Sequence, residues 1–188
     1  MSPRPRRSET GILEATIDVL AEHGVAGATV DEVAERAGVS KATIYRHWGS
    51  RARLIHAAIS SIDGPYVEPD TGSLRDDLVA LLRDMVEYLD RHDVGRVVPS
   101  VIDAATRDPE LAALHHQTQR RALRAFERTV RRGVERGELP SDVDVPLFVD
   151  LVRSPFVYRR IVAQTPVGAD DIEPVIDLVL GAFSRVPT

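Results

Sequence analysis

The sequence predicts an all-α protein in two parts, an N-terminal three-helix helix-turn-helix unit and a larger helical bundle. Three observations carry that prediction. Apolar residues recur at three- and four-residue spacing, with no strand-type alternation and no internal repeat. Capping residues (Thr29, Ser40, Ser50, Ser73 and Asp108-Pro109) and terminating glycines (Gly24, Gly38, Gly137) punctuate the chain at helix-length intervals. A stretch dense in turn formers, Asp63-Gly-Pro-Tyr-Val-Glu-Pro-Asp-Thr-Gly72, divides it, which places one domain at residues 1–62 and the other at 63–188.

Residues 1–7, with Pro3 and Pro5, read as an extended, disordered arm. Its Arg4, Arg6 and Arg7 suit either a minor groove or a solvated tail. From Ser8 to about His23, Ile12, Leu13, Ala15, Thr16, Val19 and Leu20 form the apolar stripe of a first helix that Gly24 stops. Thr29 opens a second helix, and Glu32 three residues on completes a capping box. Val30, Val33, Ala34 and Ala37 fall on one face of it, and Gly38 ends it in the left-handed conformation. Val39 turns inward at the corner and Ser40 caps a third helix, about Lys41–Trp48. Trp48 reads as packing between helices. Ser50 then caps a fourth, about Arg51–Ile62, whose start offers free N–H groups and a cation to a phosphate.

The bundle follows in order. Ser73 starts a helix to about Arg91 with Leu74, Leu78, Leu81, Leu82, Met85 and Leu89 inward. A shorter helix interrupted by Pro99 spans about Gly95–Thr106. Asp108-Pro109 opens one that reaches Glu135, with Leu111, Leu114, Leu123, Phe126 and Val130 as its stripe. The last two run about Val145–Ala163 and Asp170–Ser184.

Composition narrows the function. With 43% apolar and 28% charged residues the chain is that of a soluble globular protein. No apolar run reaches the roughly 18 residues of a membrane span, and the start lacks the apolar core of a signal peptide, so a cytoplasmic protein is expected. Absence of cysteine excludes disulfides and thiolate metal sites. The net charge of −5 divides into +1 over residues 1–60 and −6 over residues 61–188. Between Glu35 and Asp63 there is no acidic residue, while Arg36, Lys41, Arg46, Arg51 and Arg53 lie inside, the pattern a phosphate-binding surface requires. Lys41 is the only lysine among 24 bases, a bias that points to no function.

Two helices joined by a tight Gly-containing turn are the helix-turn-helix plan, whose second helix enters the major groove. At its N-terminal end Lys41 can donate to guanine O6/N7 and the Thr43 methyl can meet a thymine methyl, with Ala42 between them. Tyr45, Arg46 and His47 are placed for phosphates, which position without reading sequence.

The run from Ile12 to about Ala57 resembles the DNA-binding domain of TetR-family transcriptional repressors. Gly24, Thr29-Val30, Val33-Ala34, Ala37-Gly38-Val39-Ser40, Thr43-Ile44-Tyr45, His47-Trp48 and Arg51 with Leu54 carry the resemblance. Arg51 stands where that family usually has lysine, which keeps the charge and adds a planar fork. The resemblance implies DNA contacts at Thr29, Ser40, Tyr45, His47 and Arg51, a homodimer on a palindromic double-stranded operator, and a body that binds a small-molecule effector, with no cofactor. Arg136-Gly-Glu-Leu-Pro140 followed by Val145–Ile161 looks like the approach to the family's dimerisation helix.

In the body, Met85, Tyr88, Leu89, Val101, His115, Gln119, Phe126, Phe156 and Tyr158 are inward-facing candidates for an effector pocket, plain core being the alternative. Adjacent His115 and His116 point about 100° apart on a helix, so one metal ion does not suit both. The final helices carry Leu147, Phe148, Leu151, Val152, Ile172, Val175, Ile176, Val179, Leu180 and Phe183, more apolar surface than a monomer's terminal helices expose, and a two-fold four-helix interface would bury it. No GxSxG, P-loop, HExxH or GxGxxG is present, and a lone pairing such as Asp103 with His115 is common in helical bundles, so an enzyme is not expected. An activator or a ligand-insensitive regulator with this fold remains the alternative to a ligand-responsive repressor.

Overall fold

The computed structural model describes residues 9–62, 68–90 and 94–183, and among them the chain is helical with no strand. The helices are α1 (Glu9–Gly27), α2 (Val30–Ala37), α3 (Lys41–Trp48), α4 (Arg51–Ile62), α5 (Leu74–Asp90), α6 (Val94–Ala105), α7 (Pro109–Glu135), α8 (Val145–Val157) and α9 (Ile172–Phe183). A π-helical turn, Tyr158–Val162, follows α8, and a short 3₁₀ turn, Ala169–Asp171, precedes α9. The basic arm with Arg4, Arg6 and Arg7, the stretch 63–67 and the expected end at Ser184 lie outside the described residues.

The chain forms two units, Met1–Gly64 with Arg91–Thr118 and Pro65–Asp90 with Gln119–Thr188. The first is larger than the expected head of residues 1–62, because α6 and the start of α7 pack back onto it. In its core Ile12, Val19, Leu20, Val33, Ile44 and Leu54 are joined by Val97, Val101 and Leu111. Gly24 shows why α6 fits there. Its φ of 64° and ψ of −175° break α1, and a Cβ built on it would lie 3.4 Å from Ser100 Cβ of α6. Regular helix therefore ends at His23, as Gly24 predicts, and one further turn, running on to Gly27, follows across the kink.

In the second unit α5 packs against α9, and α9 against α8. The expected stripe of α5 is buried throughout, and it includes a residue the apolar pattern does not show: Asp77 is 0% exposed. Thr71 donates to Asp77 Oδ1 from its N–H at 2.7 Å and its hydroxyl at 2.8 Å, Arg136 donates to Oδ2 at 3.3 Å, and Arg132 stands 3.6 Å away. Burial alone would raise the Asp77 carboxyl; the Thr71 and Arg136 hydrogen bonds and the Arg132 charge outweigh it and hold the group below its ordinary value.

The segment expected as one helix over Val145–Ala163 changes register. Pro155 has no N–H for the carbonyl four residues back, and the chain widens until the Ala163 N–H bonds the Tyr158 carbonyl at 2.9 Å, an i→i+5 step.

Candidate nucleic-acid interface

The α2–α3 pair is fixed by its termini. The Thr29 hydroxyl accepts from the Glu32 N–H at 3.2 Å, which caps α2. The reciprocal half of the expected capping box is absent. The Thr29 N–H bonds the Gly27 carbonyl at 2.7 Å, and the Glu32 carboxylate takes Arg36 at 3.2 Å. At the other end Gly38 adopts φ 67°, ψ 35°; its N–H reaches the Glu35 carbonyl at 3.1 Å, and the Val39 N–H reaches Ala34 at 3.0 Å. That pair of bonds is the Schellman motif, and its apolar contact is Val39 against the core. Ser40 then caps α3, its hydroxyl accepting from the Thr43 N–H at 3.1 Å.

Only Ile44 and Trp48 of α3 are buried, one helical turn apart, and they act as its keel. Trp48 thus packs as expected. Lys41, Ala42, Tyr45, Arg46 and His47 are exposed and Thr43 is half-buried, its hydroxyl 3.0 Å from that of Ser40. Thr29 and Ser40 also lie at the surface. The residues expected to touch DNA at α2 and α3 therefore come together on one exposed ridge.

The cations behave less uniformly. Arg36 pairs with Glu22 at 2.8 Å and Glu32 at 3.2 Å, and Arg53 with Glu110 at 3.1 Å. Lys41 donates to Asp31 at 2.7 Å, a partner that composition over 36–62 did not show because it lies upstream of Glu35. Arg46 has no ion-pair partner among the described residues. Arg51, expected as a phosphate anchor, points inward instead. Its Nε donates to the Ala28 carbonyl at 2.8 Å and its Nη2 to the Val25 carbonyl. The reason is local: the corner from Gly24 to Thr29 turns the Val25 and Ala28 carbonyls toward Arg51, Val25 also accepting from the Ala28 N–H at 3.3 Å, and a planar fork can bridge the two.

The expected effector residues separate. Val101 belongs to the apolar core of the first unit, and His115 lies in that unit as well. Nearby, His56 Nε2 and Thr118 Oγ1 are 2.9 Å apart. Burial lowers both imidazoles, His115 further through His116 and His56. In the second unit Met85, Leu89, Phe126 and Phe156 are buried, and Tyr88 and Gln119 are half-buried. The Arg153 guanidinium lies over the Phe126 ring, 5.2 Å from its centroid. Tyr158 faces outward at 60% exposure, because it continues the outer face of α8 that carries Leu147 and Leu151. Among the described residues no group of three or more His, Cys, Asp or Glu is arranged to hold a metal ion, and no helix is long and apolar enough to cross a membrane.

The terminal apolar set also divides. Phe148, Val152, Ile172, Ile176 and Val179 are buried within the protomer, with Phe148 edge-on to Phe183 at 5.0 Å. Val175, Leu180 and Phe183 are half-buried. Leu147 and Leu151 stay exposed, and Tyr158, Val162 and Leu178 join them at the surface, all five between 44% and 75% exposed. Leu147, Leu151, Tyr158 and Val162 share one helical spacing, which sets the exposed members of the set apart from the buried ones.

Residues 12–58 match the family model described as bacterial regulatory proteins, tetR family, and residues 68–179 match a tetracyclin repressor-like C-terminal domain. The chain is 34% identical over 187 residues to the HTH-type transcriptional regulator YdeS of Bacillus subtilis (strain 168), covering 98% of this chain and 92% of that one. It is 32% identical over 165 residues to the DNA-binding transcriptional repressor TetR of Mycobacteroides abscessus, 85% of each chain. The crystal structure of the TetR family transcription regulator SCO0332 is similar at a TM-score of 0.67 and 30% identity, over 98% of this chain and 100% of that one. These relatives are regulators and not enzymes, in line with the motif reading.

Proposed function

Because the chain belongs to the TetR family of transcriptional regulators, we propose that it is a ligand-responsive repressor that binds a palindromic operator as a homodimer in the cytoplasm and is released by a small-molecule effector. The observation that carries this reading is the ridge of α3: Lys41, Ala42, Tyr45, Arg46 and His47 exposed above a buried Ile44–Trp48 keel. Lys41, Ala42 and Thr43 meet base edges; Tyr45, Arg46 and His47, with the capped helix starts at Thr29 and Ser40, hold phosphates. Arg51 braces the corner that presents them.

Dimerisation uses the exposed stripe Leu147, Leu151, Tyr158 and Val162 with Leu178, since large apolar side chains exposed in such number favour a partner surface that covers them. The effector occupies the second unit beside Met85, Tyr88, Leu89, Gln119, Phe126 and Phe156. It releases DNA only by binding the DNA-free conformation more tightly than the bound one. Lys41→Ala and Tyr45→Ala are expected to abolish operator binding while sizing experiments still show the dimer. A dimer that falls apart in either variant contradicts this division of labour.

A further inference from the structure

Asp31 is a carboxylate on the recognition surface that the fold itself does not require. It occupies the second position of α2, where a helix start favours an acidic side chain, but Glu32 beside it already supplies one. Its Oδ2 accepts from Lys41 Nζ at 2.7 Å, and the two side chains are 67% and 59% exposed. An ion pair so open to water stabilises a fold very little. Its position is the informative part, because it engages the first residue of the helix that meets DNA.

We propose that Asp31 is a specificity-determining positioning residue, which acts through Lys41 by keeping its ammonium off the phosphate backbone and directed at a guanine edge. An ammonium has three N–H donors. With one held by Asp31, two remain, enough for guanine O6 and N7 together, and the carboxylate stays neutralised. A phosphate of arbitrary sequence offers no such arrangement. Engaging one draws Lys41 away from the groove and sets the Asp31 carboxylate against a polyanion, an electrostatic cost that the guanine arrangement avoids. The neighbouring cations sharpen the effect: Arg36 and Arg53 are held by carboxylates and Arg51 by carbonyls, so a released Lys41 would add appreciably to sequence-independent attraction. The inference rests on the DNA-binding reading of α3.

The test measures affinity for a selected operator and for a scrambled duplex of equal length, across a salt series, with the native chain, Asp31→Asn, Asp31→Glu, Lys41→Ala and Asp31→Asn/Lys41→Ala. Asp31→Asn is expected to tighten scrambled-duplex binding roughly tenfold and to steepen its salt slope by about 0.9, one more phosphate neutralised, with operator affinity nearly unchanged. Asp31→Glu restores the native ratio, and the Asp31→Asn effect disappears in the Lys41→Ala background. Equal tightening on both duplexes, weakening on the operator alone, or an effect that survives loss of Lys41 overturns the proposal. A native chain that prefers no sequence overturns the DNA reading itself, an outcome distinct from all of these.

Discussion

Arg51 illustrates how one side chain can be assigned from charge and then reassigned from geometry. A cation at a helix start invites a phosphate, but two carbonyls at the α1–α2 corner, Val25 and Ala28, take its donors first. Arg51→Ala is therefore expected to lower stability by about 1–3 kcal/mol, the cost of removing two charge-assisted hydrogen bonds and leaving the Ala28 carbonyl without its partner. Arg51→Lys recovers only part of it, because a point charge does not bridge two carbonyls as a fork does. Denaturant unfolding reads the difference; a lysine variant as stable as the native chain, with a shallower salt slope on DNA, contradicts the bracing role. Ionisation gives a second prediction at this scale. His56 and His115 are lowered by burial, so below the ordinary histidine value of about 6.5 the unfolded chain binds protons that the folded one refuses. Stability falls as pH drops through that region. Asp77, lowered by Thr71, Arg136 and Arg132 against its burial, adds stability that is present above about 3.8 and lost as pH falls further. Urea midpoints between pH 8 and pH 3 are expected to decline in both windows, and His115→Gln flattens the first. A profile rising on acidification contradicts the assignment. None of these partnerships was legible in the sequence, because Thr71, Asp77 and Arg136, or Lys41 and Asp31, share no periodicity; they meet only once separate elements are in place.

At the scale of elements the sequence was far more informative, since caps and stripes act within a few residues of themselves. The Thr29 and Ser40 caps, the left-handed Gly38 and the Asp108-Pro109 start of α7 all lie where local chemistry places them. The limits lie where an element meets a non-local neighbour or its own proline. Gly24 stops the first helix as expected, but that it seats against Ser100 of α6, and that a π turn at Tyr158–Val162 follows Pro155, are not legible locally. Gly24→Ala tests the first case. Its φ of 64° with ψ of −175° belongs to a region that side chains disfavour, and the substitution should cost about 1–3 kcal/mol of stability. A variant that unfolds at the native denaturant concentration contradicts the account of the bend.

For the whole molecule, α6 and the start of α7 join the N-terminal core although they follow the turn-rich stretch in sequence, a packing that helix order does not reveal, so Val101 and His115 lie in the first unit. The apolar count of the last helices pointed to a surface needing cover, but not to which half of the residues supplied it. With Phe148, Val152, Ile172 and Ile176 inside the protomer, the proposed dimer depends on the outer stripe. Leu151→Glu is expected to give a monomer in sedimentation velocity with an unchanged helical spectrum, and a persistent dimer contradicts that interface. Paired recognition helices on a duplex imply half-sites about one helical turn, 10–10.5 base pairs, apart. Selection of bound duplexes from random DNA tests this most directly. The account predicts an inverted repeat with that spacing from the native chain and no enrichment from Lys41→Ala; a motif that is unaffected by Lys41→Ala, or no motif from the native chain, would contradict it.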